Sequence, residues 1–118
     1  MPTLRQKQSI FAELVGRLIG HAYRQGFEIT LGETYRTKEQ AEWYAARGMG
    51  IVNSLHTQRL AIDLNLFRNG RYLTTVEAYR PLGEWWERLS TKDYTCCWGG
   101  RFRPPDALHL SIAHDGRR

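Results

Sequence analysis

Cysteine is scarce in this chain. Cys96 and Cys97 are the only two, and they are adjacent. Neighbouring cysteines seldom bond, because the ring they close is strained, so a disulfide framework is excluded. Metal-binding thiols usually stand two to four residues apart, which disfavours a two-thiol metal site as well. Both thiols are expected reduced and buried or half-buried. Long apolar runs are also missing: nothing approaches the roughly 18 residues with which a helix crosses a bilayer, and no stable membrane insertion is expected. The opening stretch "MPTLRQKQSIFAELVGRLIGHAYRQ" has interspersed charges and no unbroken apolar core, unlike a signal peptide. The expected site of synthesis and residence is the cytoplasm. Repeats, low-complexity segments and linkers are absent, as is any run of five or more Lys/Arg. Scattered basic charge weakens a nucleic-acid reading.

What is present fits one folded domain. The chain has 118 residues, 42% of them hydrophobic, with four Trp and six Tyr. Such a composition supplies a core or cleft rich in large flat side chains. The net charge of +5 favours an anionic partner such as nucleic acid, anionic lipid or an anionic cell-wall polymer, or else serves only solubility.

Apolar residues recur at helical spacing over 9–25, from Ile10 and Phe11 to Ala22 and Tyr23. Thr3 and Gln6 offer a capping box ahead of this helix, and Gly26 ends it. "FEITLG" alternates and reads as a strand through Phe27, Ile29 and Leu31. "TKEQAEWYAARG" reads as a second helix, with a capping box at Thr37 and Gln40 and a stop at Gly48. "RLAIDLNLF" alternates cleanly, with Leu60, Ile62, Leu64 and Leu66 against Ala61, Asp63, Asn65 and Phe67. Asn69-Gly70 then signals a type I′ hairpin. Thr74 and Glu77 are expected to cap a third helix, kinked or delayed by Pro81. "CCWGGRFRPPD" reads as loop and "ALHLSIA" as a final strand. The class is α+β: a small antiparallel sheet flanked by helices.

Two clusters carry chemistry. In "SLHTQRLAID", His56 stands seven residues before Asp63, and a histidine ahead of a strand can fold back over it. In "PPDALHLS", Asp106 and His109 are three apart, so a single turn puts both on one side. Two imidazoles and a carboxylate can hold zinc at three corners and leave the fourth for water, with a second carboxylate as base. Taken singly, His56 and Asp63 read equally as a surface histidine and a solvated strand carboxylate, and Asp106 as a turn cap. His21 and His114 read as surface residues, His114 in a frayed tail.

In this order the motifs resemble the zinc D-alanyl-D-alanine dipeptidase and carboxypeptidase group, peptidase family M15, and most closely its bacteriophage L-alanyl-D-glutamate endolysins. The residues that carry the resemblance are Ser54, His56 and Asp63, then Asp106 and His109, with "TYRTKEQ" and "CWGG" beside them. It spans about residues 29 to 112. It implies a single catalytic domain over 1–118 with a hedgehog/DD-peptidase-like fold and no separate wall-binding domain. It implies Zn2+ held by His56, Asp63 and His109, with Asp106 as general base and then acid. Arg36 would stabilise the oxyanion, and Ser54, Gln40 and Trp98 would bind substrate. Ser54 reads equally as a turn former, and Trp98 as plain packing. The activity implied is hydrolysis of the L-alanyl-D-glutamate bond of peptidoglycan by a monomeric phage or prophage endolysin that acts on the wall after release. The alternatives are a D-alanyl-D-alanine dipeptidase or carboxypeptidase, and a non-catalytic basic module with a relict zinc site. Two departures stand out. Arg59 occupies a position where the family commonly has glycine, and Leu110 and Ser111 follow the last histidine in place of an aromatic and then an acid or amide.

Overall fold

Thr3 starts the first helix. Its hydroxyl accepts from the Gln6 N–H at 3.2 Å, and the Gln6 side chain accepts from the Thr3 N–H at 2.8 Å. The computed structural model, which describes residues 1–118, places α1 at Leu4–Arg24. It begins at residue 4 rather than 9 because the cap, not the first apolar pair, sets the start. Phe11, Leu14, Val15, Leu18 and Ala22 form its buried stripe. Gly26, at φ +88°, turns the chain out of the helix.

β1 (Glu28–Leu31) follows. Its expected alternation holds only in part: Phe27 is buried and Ile29 half-buried, but Leu31 is 68% exposed. The reason is position, since β1 is an edge strand whose only partner is β2 (Ala61–Arg68). Between them lies α2 (Lys38–Ala46), capped by Thr37 and Gln40 as their spacing requires. α2 buries only Ala41.

β2 is the central element. Leu60, Ile62, Leu64 and Leu66 are buried, while Asp63, Asn65 and Phe67 remain partly open. Asn69 and Gly70 take φ of 52° and 75°, the left-handed pair a type I′ turn needs, and lead into β3 (Arg71–Tyr72). α3 (Val76–Glu87) is capped by Thr75, not Thr74; the Thr75 hydroxyl accepts from the Ala78 N–H at 3.1 Å. Pro81 lies inside α3 and neither delays nor stops it, costing one intrahelical donor.

The loop expected over "CCWGGRFRPPD" begins later than its composition implied. Cys96–Trp98 is a strand, β4, paired with β5 (His109–Ile112) through Cys96↔Ile112, Cys97↔Ser111 and Trp98↔Leu110. The breakers start only at Gly99, where a 3₁₀ turn runs to Arg101. Both cysteines are free and buried, and burial pushes the Cys96 thiol up to about 12, so neither is a thiolate at neutral pH. The sheet order is β1-β2-β5-β4, with every pairing antiparallel and β3 on β2. His114 is not frayed. It forms a two-bond bridge with Arg117, and Lys7 Nζ lies 3.3 Å from its Nδ1. His21 stacks on Trp85 at 4.3 Å. No helix is long and apolar enough to cross a membrane.

Trp98 explains two glycines, Gly83 in α3 and Gly100 in the turn after β4. Its ring is 1% exposed, and its indole N–H donates to the Ala107 carbonyl at 2.8 Å. A Cβ on Gly83 would lie 2.1 Å from the ring, and one on Gly100 would lie 2.2 Å from it. Glycine in α3 is thus a space requirement, and alanine there should reverse its usual helix benefit. Gly83→Ala is expected to destabilise by about 1–3 kcal/mol through overpacking, read as a lower urea midpoint at unchanged slope. A higher midpoint would show that the ring is free to move.

Candidate active site

Asp63 and His109 are direct cross-strand partners, on β2 and β5. Asp63 is gripped on its other side as well: its N–H donates to the Glu33 carbonyl at 2.9 Å, and its carbonyl accepts from Gly32 at 2.8 Å. A Cβ on Gly32 would stand 2.7 Å from that carbonyl oxygen, so glycine is what lets the chains approach. On β5, the His109 N–H closes a turn onto the Asp106 carbonyl at 3.1 Å, and Asp106 N–H donates to Gly99 at 2.8 Å. The three-residue spacing thus does put Asp106 and His109 on one turn.

His56 arrives on a 3₁₀ turn, Leu55–Gln58, that folds back over β2. Leu55 anchors it in the core, and the Ser54 hydroxyl accepts from the His56 N–H at 3.2 Å. Arg36 N–H donates to the His56 carbonyl at 3.1 Å. The ring is oriented by the Thr34 carbonyl, 3.0 Å from Nδ1, which leaves Nε2 facing Asp63.

His56 Nε2 and His109 Nδ1 lie 3.5 and 3.8 Å from Asp63 Oδ1. These separations are long for hydrogen bonds. A tetrahedral metal with N and O ligands at about 2.0–2.1 Å sets its ligand atoms roughly 3.4 Å apart. All three donor atoms fall within 4.8 Å of one another. Asp63 Oδ1 is buried without a hydrogen-bond partner. An orphaned carboxylate oxygen between two imidazoles fits a cation better than any partner the protein itself provides. His56, Asp63 and His109 could therefore hold a metal ion.

Electrostatics favour the same end. Burial, and the charges of His56 and Arg36, lower the His109 pKa to about 4 against the pull of Asp63, so the ring is neutral at physiological pH. Burial opposes the His56 cation too, but there Asp63, the Thr34 carbonyl and Glu33 prevail and raise its pKa. Asp106 is exposed as a residue, yet loss of hydration at its carboxyl, with the Asp63 charge, raises its pKa; His56 and Arg36 pull it down. Phe102 closes one side, its ring 5.2 Å from that of His109.

The remaining expected site residues are placed unevenly. Arg36 is 14% exposed, stands over the Tyr44 ring, and is fastened by Glu33. Ser54 forms the turn described above. Gln40 caps α2 through its side-chain oxygen, which accepts from Thr37 N–H at 2.9 Å. Trp98 lies in the core, not on a cleft wall, because its ring fills the slot between two glycines. Arg59 ends the 3₁₀ turn at φ 56°, ψ 35°, which is why glycine suits this position. A left-handed arginine costs about 1 kcal/mol; its guanidinium over Tyr35, at 4.1 Å, offsets part of that. Glu33, Thr34 and Phe102 were not evident in the sequence. The one local signal was an acid three residues before Arg36.

Because Asp63, the Thr34 carbonyl and Glu33 raise the His56 pKa while burial lowers that of His109 to about 4, proton competition for a metal held at this site would fall on His56. Apparent Zn2+ affinity, read by chelator competition, should fall about tenfold per pH unit below the His56 pKa, with one proton displaced. A flat profile between pH 5 and 7 would contradict this assignment.

Against known proteins, the family model described as D-alanyl-D-alanine carboxypeptidase matches residues 47–112, more than half the chain. That span contains His56, Asp63, Asp106 and His109 but not Arg36. Curated protein sequences give no match. Among solved structures, the crystal structure of Serratia marcescens L-Ala D-Glu endopeptidase ChiX is similar, with a TM-score of 0.68 and 20% identity over 86% of this chain and 79% of that one. At that identity the likeness is one of fold. By its family match, this chain belongs to the D-alanyl-D-alanine carboxypeptidase family of M15 peptidases.

Proposed function

We propose that the chain is a zinc-dependent peptidoglycan peptidase that hydrolyses the L-alanyl-D-glutamate bond of the stem peptide. The observation that carries the metallopeptidase reading is the orphaned Asp63 oxygen between His56 and His109, with the Asp106 carboxyl one turn away. The choice of bond leans on the fold shared with a protein described as an L-Ala D-Glu endopeptidase. The description of the matching family favours a second reading, D-alanyl-D-alanine cleavage.

His56, Asp63 and His109 would hold the ion. When bound, it supplies Lewis acidity, which polarises a carbonyl and acidifies water. The chain's own residues do the rest. Asp106, with its pKa raised by burial and Asp63, takes a proton from the attacking water and returns it to the leaving amine nitrogen. Arg36 donates to the oxygen of the scissile carbonyl as negative charge develops there. The Thr34 carbonyl holds His56 with Nε2 free, and the Gly99 carbonyl fixes the turn that aims Asp106. The proposal extends to the setting: a monomeric phage or prophage endolysin, made in the host cytoplasm and acting on the wall after release. The net charge of +5 supports attraction to an anionic wall.

Two variants separate metal from base. His109→Ala should lose zinc and activity together. Asp106→Ala should keep stoichiometric zinc while kcat falls about 10²- to 10⁴-fold; near-normal turnover would remove Asp106 from the mechanism. The bond itself is read by mass spectrometry of digested peptidoglycan. New amino-terminal D-glutamate supports the proposal, release of terminal D-alanine supports the second reading, and stoichiometric zinc with no cleavage contradicts both.

A further inference from the structure

Glu33 meets the site at three points. Its main-chain carbonyl accepts the Asp63 N–H at 2.9 Å. One carboxylate oxygen, Oε1, accepts from both Arg36 Nε (2.9 Å) and Arg36 Nη2. The same oxygen lies 3.6 Å from His56 Nδ1. The Glu33 side chain is 28% exposed and that of Arg36 is 14% exposed, so the pair is largely withdrawn from water. A charge pair so placed is oriented more firmly than one on the surface.

We propose that Glu33 is the positioning residue that fixes the Arg36 guanidinium in the cleft, using two of its N–H donors as a tether and leaving the others for the substrate. The inference deepens the peptidase reading and rests on it for the role of Arg36.

The geometry gives the tether a specific purpose. The cleft holds two further carboxylates, Asp63 on β2 and Asp106 on the turn that leads into β5. An arginine on a long flexible stem, untethered, would turn towards those acids. Paired with Asp106, it would occupy the base; paired with Asp63, it would compete for the orphaned oxygen. Glu33 supplies a third acid, outside the donor cluster, that satisfies Nε and one edge of the guanidinium fork. Tyr44 completes the mount, its ring beneath the guanidinium carbon at 5.1 Å.

The test combines kinetics with a readout that needs neither substrate nor metal. In the ¹H–¹⁵N spectrum of the metal-free protein, Arg36 Nε–H should be slow to exchange, and Glu33→Ala should abolish that protection. In the zinc-loaded enzyme, Glu33→Ala and the isosteric Glu33→Gln should retain stoichiometric zinc and lower kcat about 10- to 100-fold, with KM changed far less. Either substitution should cost nothing further in an Arg36→Ala background. Additive losses, unchanged kcat, or protection that persists without Glu33 would each overturn the proposal. If the wild type cleaves no peptidoglycan, the peptidase reading fails, and the exchange data alone still decide whether Glu33 holds Arg36.

Discussion

The register between the central strand and its neighbour governs everything else in this molecule. Asp63 faces His109 because Ala61, Ile62 and Asp63 pair with Ser111, Leu110 and His109. Side chains alternate along a strand, so a slip of one residue would turn Asp63 into the apolar core and Leu64 into the cleft. Burial of Leu60, Ile62, Leu64 and Leu66 on the opposite face resists that slip. The hydrophobic pattern of β2 therefore does double duty, fixing the core and aiming the carboxylate. The hairpin at Asn69-Gly70 pins the far end of the same strand, and the Gly32–Glu33 segment pins its near end.

The site works against stability. Asp63 Oδ1 and His109 Nε2 are both buried without hydrogen-bond partners. Each such atom costs about 1–3 kcal/mol in a folded chain. The chain packs closely beside it: Trp98 is clamped between Gly83 and Gly100, and Gly99 lies so near that a Cβ would stand 2.1 Å from the Asp106 carbonyl oxygen. Trp98, on the strand next to the one that bears His109, is part of how the turn bearing Asp106 is held, through its indole N–H on the Ala107 carbonyl, although its ring lies in the core. Neutral His109 and the higher-titrating His56 show how two identical side chains acquire different charge behaviour from burial and neighbours alone.

Local chemistry was the most legible part of the sequence. The capping boxes at Thr3–Gln6 and Thr37–Gln40 formed as spelled, and so did the left-handed Asn69-Gly70 turn, because each is decided within four residues. The alternation of β2 was equally plain. His56, Asp63, Asp106 and His109, singled out by the resemblance of their motifs to a known family and ambiguous when taken singly, are residues that the fold brings to one place or one turn. What could not be read was set by distant partners. Cys96–Trp98 became a strand only through β5, and Leu31 opened to solvent because β1 is an edge. The ring of Trp98 went inward because Gly83, in α3, leaves room for it. Glu33 was invisible for the same reason: its meaning depends on where Arg36 and His56 arrive. Arg59, a departure from the family pattern, has a physical reading once its left-handed backbone is seen.

The central claim is that two imidazoles and one carboxylate, and no thiolate, hold the metal. X-ray absorption at the zinc edge of the reconstituted protein tests it directly. The account predicts nitrogen and oxygen scatterers at about 2.0–2.1 Å, including the outer-shell signature of two imidazole rings. A sulfur shell at about 2.3 Å would move the metal to Cys96 and Cys97 and contradict it, as would failure of the protein to bind zinc at one equivalent.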